Sequence, residues 1–186
     1  MSVALPEVSS IASLSSGDVE SALSLIFERS ETLFQLLSNH VRHSQPPLSW
    51  YALVDDFQTK LLPQCKWEQK VEIINAHPRL GEPKKVLSAM SLKEQGYVSS
   101  ATSDAAATQD PDEQVNAKLM QLNGQYEARF GFKFVIFVAG RPRREIVPIF
   151  ADAVQDPNRT KENEMARGLR DMCDIGRDRI KKLLLS

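Results

Sequence analysis

The sequence has few cysteines, almost no net charge and no long apolar run. Its two cysteines, Cys65 and Cys173, stand far apart without a Cys-x-x-Cys pair, so neither a zinc ribbon nor a disulfide scaffold is indicated. Because 23 basic residues face 24 acidic ones, the net charge of -1 gives no long-range attraction to nucleic acid or to an anionic membrane surface. No apolar stretch is long enough for a membrane span, and no basic and apolar leader follows Met1. We therefore expect reduced thiols and no nucleic-acid or membrane partner.

The chain length indicates one domain, since 186 residues fall within the range that a single domain usually occupies. Residues 1–16 are rich in serine and small side chains, which predicts a flexible N-terminal arm. A packed helical domain is expected over residues 17–186. Residues 99–108 are rich in alanine, serine and threonine and predict a loop or a weak helix.

Apolar residues recur at helical spacing along most of the chain. The pattern predicts helices from Val19 to Val41, with a break near Ser30, and then at Trp50 to Leu62, Lys66 to Ala76, Asp112 to Arg129, Pro142 to Val154, and Thr160 nearly to the end. Asp18 is predicted to cap the first helix and Thr160 the last. Pro142 is expected at the first helical position of its helix, and Pro148 is expected either to bend this helix or to mark its true first turn.

One segment departs from this helical pattern. Residues 132–138 are aromatic and β-branched, as in a buried strand, yet no second convincing strand is present to pair with them. The sequence therefore predicts an all-α fold, a single-domain helical bundle with a short extended segment near 132–138.

His77 is the clearest candidate for proton transfer, because an imidazole titrates near neutral pH and serves as acid or base with little tuning. It follows a predicted helix, and Pro78 and Gly81 indicate a tight turn directly after it. A histidine at a helix end more often caps free carbonyl groups. The residues alone leave both interpretations open.

Ser91 and Glu94 match a capping box, in which the two side chains satisfy backbone donors at a helix start. The same helix end offers free N–H groups to an anionic ligand, and the Gln95 amide can bond a ureido or amide group. Glu94 can also orient the His77 imidazole or accept a ligand N–H. The structural and functional roles are compatible.

Metal and thiol chemistry have little support in the sequence. His40 and His43 share one predicted helix face, but no third ligand has matching spacing, so no metal site is predicted. Neither cysteine has a histidine nearby in sequence or a glycine-rich elbow. No glycine-rich phosphate loop is present either.

Arginines supply two candidate anion sites. Arg141 belongs to a small basic cluster with Arg143 and Arg144, which is usually a solvated face and at most an anion clamp. The last predicted helix carries Arg167, Arg170, Arg177 and Arg179. One inward arginine there can hold a carboxylate through two parallel hydrogen bonds, but periodicity alone does not choose it.

Three motifs in a fixed order carry a family resemblance. They are His77-Pro78-Arg79-Leu80-Gly81, Ser91-x-x-Glu94-Gln95, and Leu122-Asn123-x-x-Tyr126-x-x-Arg129-Phe130-Gly131-Phe132-x-Phe134-Val135-Ile136. Together they resemble the 2-oxo-4-hydroxy-4-carboxy-5-ureidoimidazoline (OHCU) decarboxylase family of uric acid degradation, over roughly residues 17 to 185.

The resemblance implies an all-α, cofactor-independent decarboxylase that converts OHCU to (S)-allantoin and CO2. It implies catalytic roles for His77, as proton donor or general acid and base, and for Glu94. The substrate-binding positions implied are Pro78, Ser91, Leu92, Lys93, Gln95, Phe134, Val135, Ile136, Phe137, Val138 and Arg179, with Arg177 as the alternative to Arg179. The partners implied are a small-molecule ureidoimidazoline and a second copy of the chain in a homodimer.

The sequence departs from the family pattern in three places. Arg141 is displaced from the position of the family's usual Ala-Arg pair, Arg79 replaces the acidic residue common after His-Pro, and the loop at residues 99–111 is longer. These changes keep two alternatives open: a noncatalytic helical module that binds a ureide or a protein, and a decarboxylase of a different heterocyclic acid. The ending Leu183 to Ser186 lacks a peroxisomal tripeptide, so a cytoplasmic location is expected.

Overall fold

A computed structural model describes residues 4–82 and 111–185 of the chain. Within these two ranges the regular structure is helical and no β-strand is present. The predicted all-α class is therefore confirmed. None of the helices in the described ranges has an apolar stretch of the length needed to cross a bilayer.

The main helices follow the apolar repeats of the sequence. They are α1 (Ser16–Leu23), α2 (Glu31–His43), α3 (Trp50–Asp56), α4 (Trp67–Asn75), α5 (Pro111–Phe130), α6 (Arg143–Gln155) and α7 (Lys161–Leu184). A 3-10 helix at Val8–Ser13 precedes α1. After α3 the winding changes to a π-helix at Phe57–Leu61 and a 3-10 turn at Leu62–Gln64, so Pro63 lies in the last turn of this segment.

The chain divides into two compact units. The first contains Met1–His77 together with Met165–Ser186, and the second contains Pro78–Glu164. Most of α7 therefore belongs to the first unit. His77 is the last residue of the first unit's N-terminal part, and Pro78 is the first residue of the second unit.

The first unit is built around apolar helix faces. Its fully buried side chains include Ile11, Val19, Leu23, Leu37, Leu53, Phe57, Ile73, Met172 and Ile180. Helix α7 comes very close to the connection between α1 and α2 at Gly176, where an added Cβ would lie 3.2 Å from both Ile26 and Phe27. The absence of a side chain at Gly176 allows this close packing.

Of the helix boundaries predicted in this unit, the break near Ser30 is confirmed and the Asp18 cap is wrong. At the break, α1 ends at Leu23, and Ser30 caps α2 by accepting a hydrogen bond from the Leu33 amide. Asp18 is not the N-cap of α1. The Ser15 hydroxyl stands three residues earlier and accepts from the Asp18 amide at 3.2 Å, so the helix begins one turn sooner.

The N-terminal segment contacts the rest of this unit. The side chain of Ile11 is fully buried, and the Trp50 indole N–H donates to the Pro6 carbonyl at 3.0 Å. The domain boundary expected at residue 17 stays a prediction. The apolar Ile11 explains why part of the preceding segment is packed, since burial of one such side chain stabilises by roughly 1.5–3 kcal/mol.

The second unit is organised around the Tyr126 ring of α5. Four phenylalanine rings lie 4.5–5.9 Å from it, centroid to centroid, namely those of Phe130, Phe132, Phe134 and Phe150. Gly131, at φ 86°, ends α5, and the chain then continues through residues 133–138 without regular structure. The segment near 132–138 therefore lies outside the helices as predicted, and its phenylalanine rings pack on Tyr126 where strand pairing is absent.

The boundaries of α6 and α7 test the predicted caps. Pro142 occupies the N-cap position of α6, which begins at Arg143, so its predicted placement at the first helical position is wrong by one residue. Pro148 lies inside α6. Thr160 caps α7 as predicted, because its hydroxyl accepts a hydrogen bond from the Asn163 amide at 3.1 Å.

Candidate functional site

His77 lies directly beyond α4, and its environment is set by the end of that helix. The backbone N–H of His77 donates to the Ile74 carbonyl at 3.2 Å, which prolongs the last turn. The residue is only 6% exposed, although its ring is polar. Its ring is therefore largely withdrawn from water, and its role in proton transfer stays a prediction.

The turn that follows His77 is attached to α5 in the second unit. The Asn123 amide donates to the Leu80 carbonyl and to the Leu119 carbonyl, each at 2.9 Å. Gly81 has φ 78°, and a Cβ at this position would lie 3.0 Å from the Leu119 Cβ. The predicted tight turn is confirmed, and it requires glycine for both its backbone conformation and its close approach to α5.

Replacing Gly81 with alanine is expected to lower the free energy of unfolding by roughly 1–3 kcal/mol, because alanine is strained at this φ and its Cβ meets Leu119. Urea denaturation measures the change. Gly124→Ala in α5 is the matched control, since nothing lies within 4 Å of an added Cβ there. That control is expected to stabilise by up to about 1 kcal/mol, from helix propensity. Equal effects of the two substitutions would contradict the role given to Gly81.

Arg79, one of the departures from the family pattern, pairs with Glu127 of α5. Its Nε and Nη2 atoms donate to the two Glu127 carboxylate oxygens at 2.6 and 2.9 Å. The hydrogen bond to Glu127 raises the pKa of Arg79 above its ordinary value. A cleft of about 330 Å³ lies beside this pair and is also lined by Leu80, Met120 and Gly124.

The side chains of the segment Phe134 to Val138 are buried or half-buried, and two of its backbone carbonyls accept hydrogen bonds. Phe134 is 1% exposed and its ring stacks on Phe150 at 3.9 Å. Val135 and Val138 are also buried, whereas Ile136 and Phe137 are half-buried. The carbonyls of Phe137 and Val138 accept hydrogen bonds from the Arg141 guanidinium at 2.7 and 2.9 Å.

A turn at Ala139 and Gly140 brings Arg141 back to the carbonyls of the preceding segment. Ala139 and Gly140 both have positive φ, at 51° and 75°, which reverses the chain and brings the Arg141 amide to the Val138 carbonyl at 2.9 Å. The Arg141 guanidinium then bonds the backbone of the predicted substrate-binding segment. Of the other arginines in this cluster, Arg143 is buried and donates to Asn116.

The two candidate arginines of α7 differ sharply in environment. Arg179 is 2% exposed and donates to the Glu28 carboxylate at 2.8 Å and to the Ile26 carbonyl at 3.5 Å. Arg177 lies nearer the surface and donates to Asp55 and Gln58, each at 2.6 Å. Arg179 is thus the inward arginine of the pair.

Several predicted site residues lie outside the described residues, namely Ser91, Leu92, Lys93, Glu94 and Gln95. Their roles stay predictions. Of the predicted residues that are described, His77 and Arg179 belong to the first unit, and Pro78 and the segment Phe134 to Val138 belong to the second.

The histidines and cysteines outside the motifs lie in ordinary structural environments. His40 Nε2 lies 2.9 Å from an Asp56 carboxylate oxygen, whereas His43 Nδ1 bonds the Asn39 carbonyl. Within the described ranges, no group of three potential metal ligands comes together. Cys173 is buried, and burial raises the pKa of its thiol to about 12, which keeps it protonated.

Sequence reasoning missed a buried polar network in the second unit. Glu164, 2% exposed, accepts a hydrogen bond from the Tyr126 hydroxyl at 2.7 Å and pairs with Arg159 at 2.7 Å. The tyrosine is 38 residues away along the chain, so no local spacing signals the contact. The Tyr126 motif marks the tyrosine but not its partner.

Comparisons with known proteins agree with these motifs. A family model described as OHCU decarboxylase matches residues 12–181. The chain is 27% identical over 117 residues to the uric acid degradation bifunctional protein PucL of Bacillus subtilis (strain 168), covering 63% of this chain and 21% of that protein. The chain thus spans about a fifth of the length of this curated relative.

Two solved structures share the fold. One is a crystal structure of OHCU decarboxylase in the presence of (S)-allantoin, with a TM-score of 0.58 and 18% identity, covering 84% of this chain and 93% of that one. The other is a crystal structure of (S)-allantoin synthase, with a TM-score of 0.61 and 19% identity, covering 96% of this chain and 54% of that one. Because the family model matches most of its length, this chain belongs to the OHCU decarboxylase family.

Proposed function

We propose that this protein decarboxylates OHCU to (S)-allantoin in uric acid degradation, without a cofactor. The observation that carries the proposal is the family match over residues 12–181, which includes the motif that begins at His77. The burial of His77 beside a rigid turn supports it. The names of the similar proteins point to the same reaction.

The chemistry requires one proton and a means of stabilising negative charge. When the carboxylate leaves as CO2, the electron pair of the broken C–C bond is delocalised into the adjacent imidazolinone system. A site that holds the carboxylate out of this plane and stabilises the developing anion lowers the barrier. In the proposal, His77 handles the substrate hydroxyl proton or protonates the carbanion on one face. Protonation on one face gives a single enantiomer.

The remaining predicted residues are assigned to substrate binding in the same proposal. Pro78 and the backbone of the segment Phe134 to Val138 would line the pocket, and Glu94 and Gln95 would hold the ureido and ring N–H groups. We favour Arg179 over Arg177 as the cation for a substrate carboxylate. Its guanidinium is buried, so its charge is less screened than that of Arg177.

A direct assay tests the proposed function. OHCU is generated in situ from urate with the upstream enzymes, and its absorbance and the circular dichroism of allantoin are followed with and without this protein. We expect faster loss of OHCU and an excess of (S)-allantoin. An unchanged decay rate and racemic product would rule the function out.

The departures at Arg79 and Arg141 favour one alternative, which is decarboxylation of a different heterocyclic acid. The Arg79 guanidinium binds Glu127 and the Arg141 guanidinium binds the Phe137 carbonyl. These two positive groups change the charge around the turn and around the backbone of the extended segment. The same assay distinguishes OHCU decarboxylation from this alternative and from a noncatalytic ureide-binding module, because neither of these would speed the loss of OHCU.

A homodimer and a cytoplasmic location complete the proposal. The buried free thiols of Cys65 and Cys173 support a reducing compartment. Sedimentation equilibrium tests the dimer, and microscopy of the fluorescently tagged protein in its host tests the location.

A further inference from the structure

Four charged side chains gather in the second unit around Arg79. Besides the two hydrogen bonds to Glu127, the Arg79 guanidinium lies 3.4 Å from the Glu82 carboxylate. Burial lowers the pKa of Lys133, the positive charge of Arg79 lowers it further, and Glu82 and Glu127 oppose this shift. Lys133 is therefore close enough to interact with all three.

This cluster connects the two candidate substrate-binding segments of the second unit. Arg79 directly follows Pro78 in the chain, and Lys133 directly precedes Phe134. Glu127 lies on α5, one helical turn beyond Asn123, whose side chain holds the Leu80 carbonyl. The turn is thus attached to one face of α5 by the Asn123 side-chain amide and by the Arg79 guanidinium.

The geometry of the Arg79 pair fixes orientation more than it adds stability. Both carboxylate oxygens of Glu127 are bound by a planar guanidinium, and such a fork restricts the angle between its partners. The side chains are 42% and 27% exposed, which limits the stability that an ion pair contributes. Water would screen a simple charge attraction here, but it does not remove the directional constraint.

We propose that Arg79 and Glu127 form a positioning pair that sets the orientation of the Pro78–Gly81 turn and, through the peptide bond to Pro78, of His77. The proposal rests on the proposed decarboxylation. Neither residue is given a catalytic role. Both act by holding the chain segment that carries the proton-transfer group, and small displacements of such a group reduce turnover strongly.

Two single substitutions separate this role from a general charge effect. Glu127→Gln keeps the size of the side chain but removes its charge, and Arg79→Lys keeps the charge but loses the fork. We expect each to lower kcat about tenfold, with KM and the melting temperature little changed. The double variant should be no worse than either single variant, because the two residues act as one unit.

A control variant and a readout independent of turnover complete the test. Glu20→Gln removes the carboxylate charge of the exposed pair with Arg29, away from the motifs, and should leave kcat unchanged. The chain has only three histidines, so the ring signals of His77, His40 and His43 can be resolved by NMR. We expect Glu127→Gln and Arg79→Lys to shift or broaden the His77 signal alone.

The two readouts keep the proposals distinguishable. A wild-type protein without OHCU turnover would refute the proposed function, while the His77 signal would still decide whether the pair positions this residue. The inference stands if the His77 signal moves in both variants and, in active protein, kcat falls with it. An unmoved His77 signal, or wild-type kcat in either variant, would overturn it.

Discussion

Replacing His77 with asparagine is expected to lower kcat/KM for OHCU decarboxylation by about 10²- to 10⁴-fold, the usual contribution of a general acid or base. Asparagine keeps a polar side chain of similar size but cannot deliver a proton at neutral pH. In the proposal the reaction has no cofactor, and His77 is the only one of the described residues that is given the proton-transfer role. Residual product should lose its enantiomeric excess, since protonation on one face depends on the imidazole.

The control for this substitution is His43→Asn. His43 is exposed and bonds the Asn39 carbonyl within its own helix, so its loss should leave turnover unchanged. Circular dichroism and thermal melting establish that both variants are folded. Formation of (S)-allantoin at the normal rate by folded His77→Asn protein would refute the assignment. Glu94→Ala, assayed alongside, tests the second predicted catalytic residue in the same way.

Replacing Glu28 with alanine is expected to lower the free energy of unfolding by about 3–5 kcal/mol, because it removes the carboxylate from an ion pair with the buried Arg179 guanidinium. Arg179 is 2% exposed, so water cannot easily replace the lost interaction. A loss of this size is a large part of the 5–15 kcal/mol that stabilises a typical domain. Urea or thermal denaturation of the purified variant measures it.

Glu20→Ala provides the matched control, because it also removes a glutamate from an ion pair with an arginine of the same unit. Its side chain and that of Arg29 are 42% and 73% exposed, so the expected loss is at most about 1 kcal/mol. Similar losses for Glu20→Ala and Glu28→Ala would contradict the buried-charge argument. Adding Arg179→Met to Glu28→Ala should recover part of the stability, because it also removes the buried guanidinium charge.

The same position tests the function proposed for Arg179. Arg179→Lys keeps a positive charge near Glu28 but cannot form a planar fork to a substrate carboxylate. A folded variant with a raised KM would support substrate binding by Arg179. A folded variant with normal kinetics would limit Arg179 to a structural role.

Helices were predictable from sequence wherever the apolar repeat was strong, and their ends less so. The repeats at Trp50 to Leu62, Lys66 to Ala76 and Asp112 to Arg129 correspond to observed helical segments, because each buries one continuous apolar face. The break near Ser30 was predictable, but the residue at which α1 ends, Leu23, was not. Apolar spacing does not record where a chain turns, and the Ser15 and Ser30 hydroxyls that do mark the helix starts compete with other capping residues nearby.

The sequence and the resemblance name candidate site residues, whose roles stay predictions, but they do not name the partners of these residues. His77, Gly81 and the 132–138 segment were identified from local sequence and resemblance. The pairing of Arg79 with Glu127 joins residues 48 positions apart, and that of Arg179 with Glu28 joins residues 151 apart. Such contacts arise from tertiary packing, so single-sequence periodicity contains no signal for them.

The hydrogen bond from Trp50 to the Pro6 carbonyl gives the protein an intrinsic fluorescent reporter. The chain has one other tryptophan, Trp67, which is 38% exposed, whereas Trp50 is 5% exposed. Indole emission moves to longer wavelength when water reaches the ring, so release of the N-terminal segment should red-shift Trp50. Acrylamide quenching of a Trp67→Phe protein would then follow this segment in real time, including the effect of any tag placed before it.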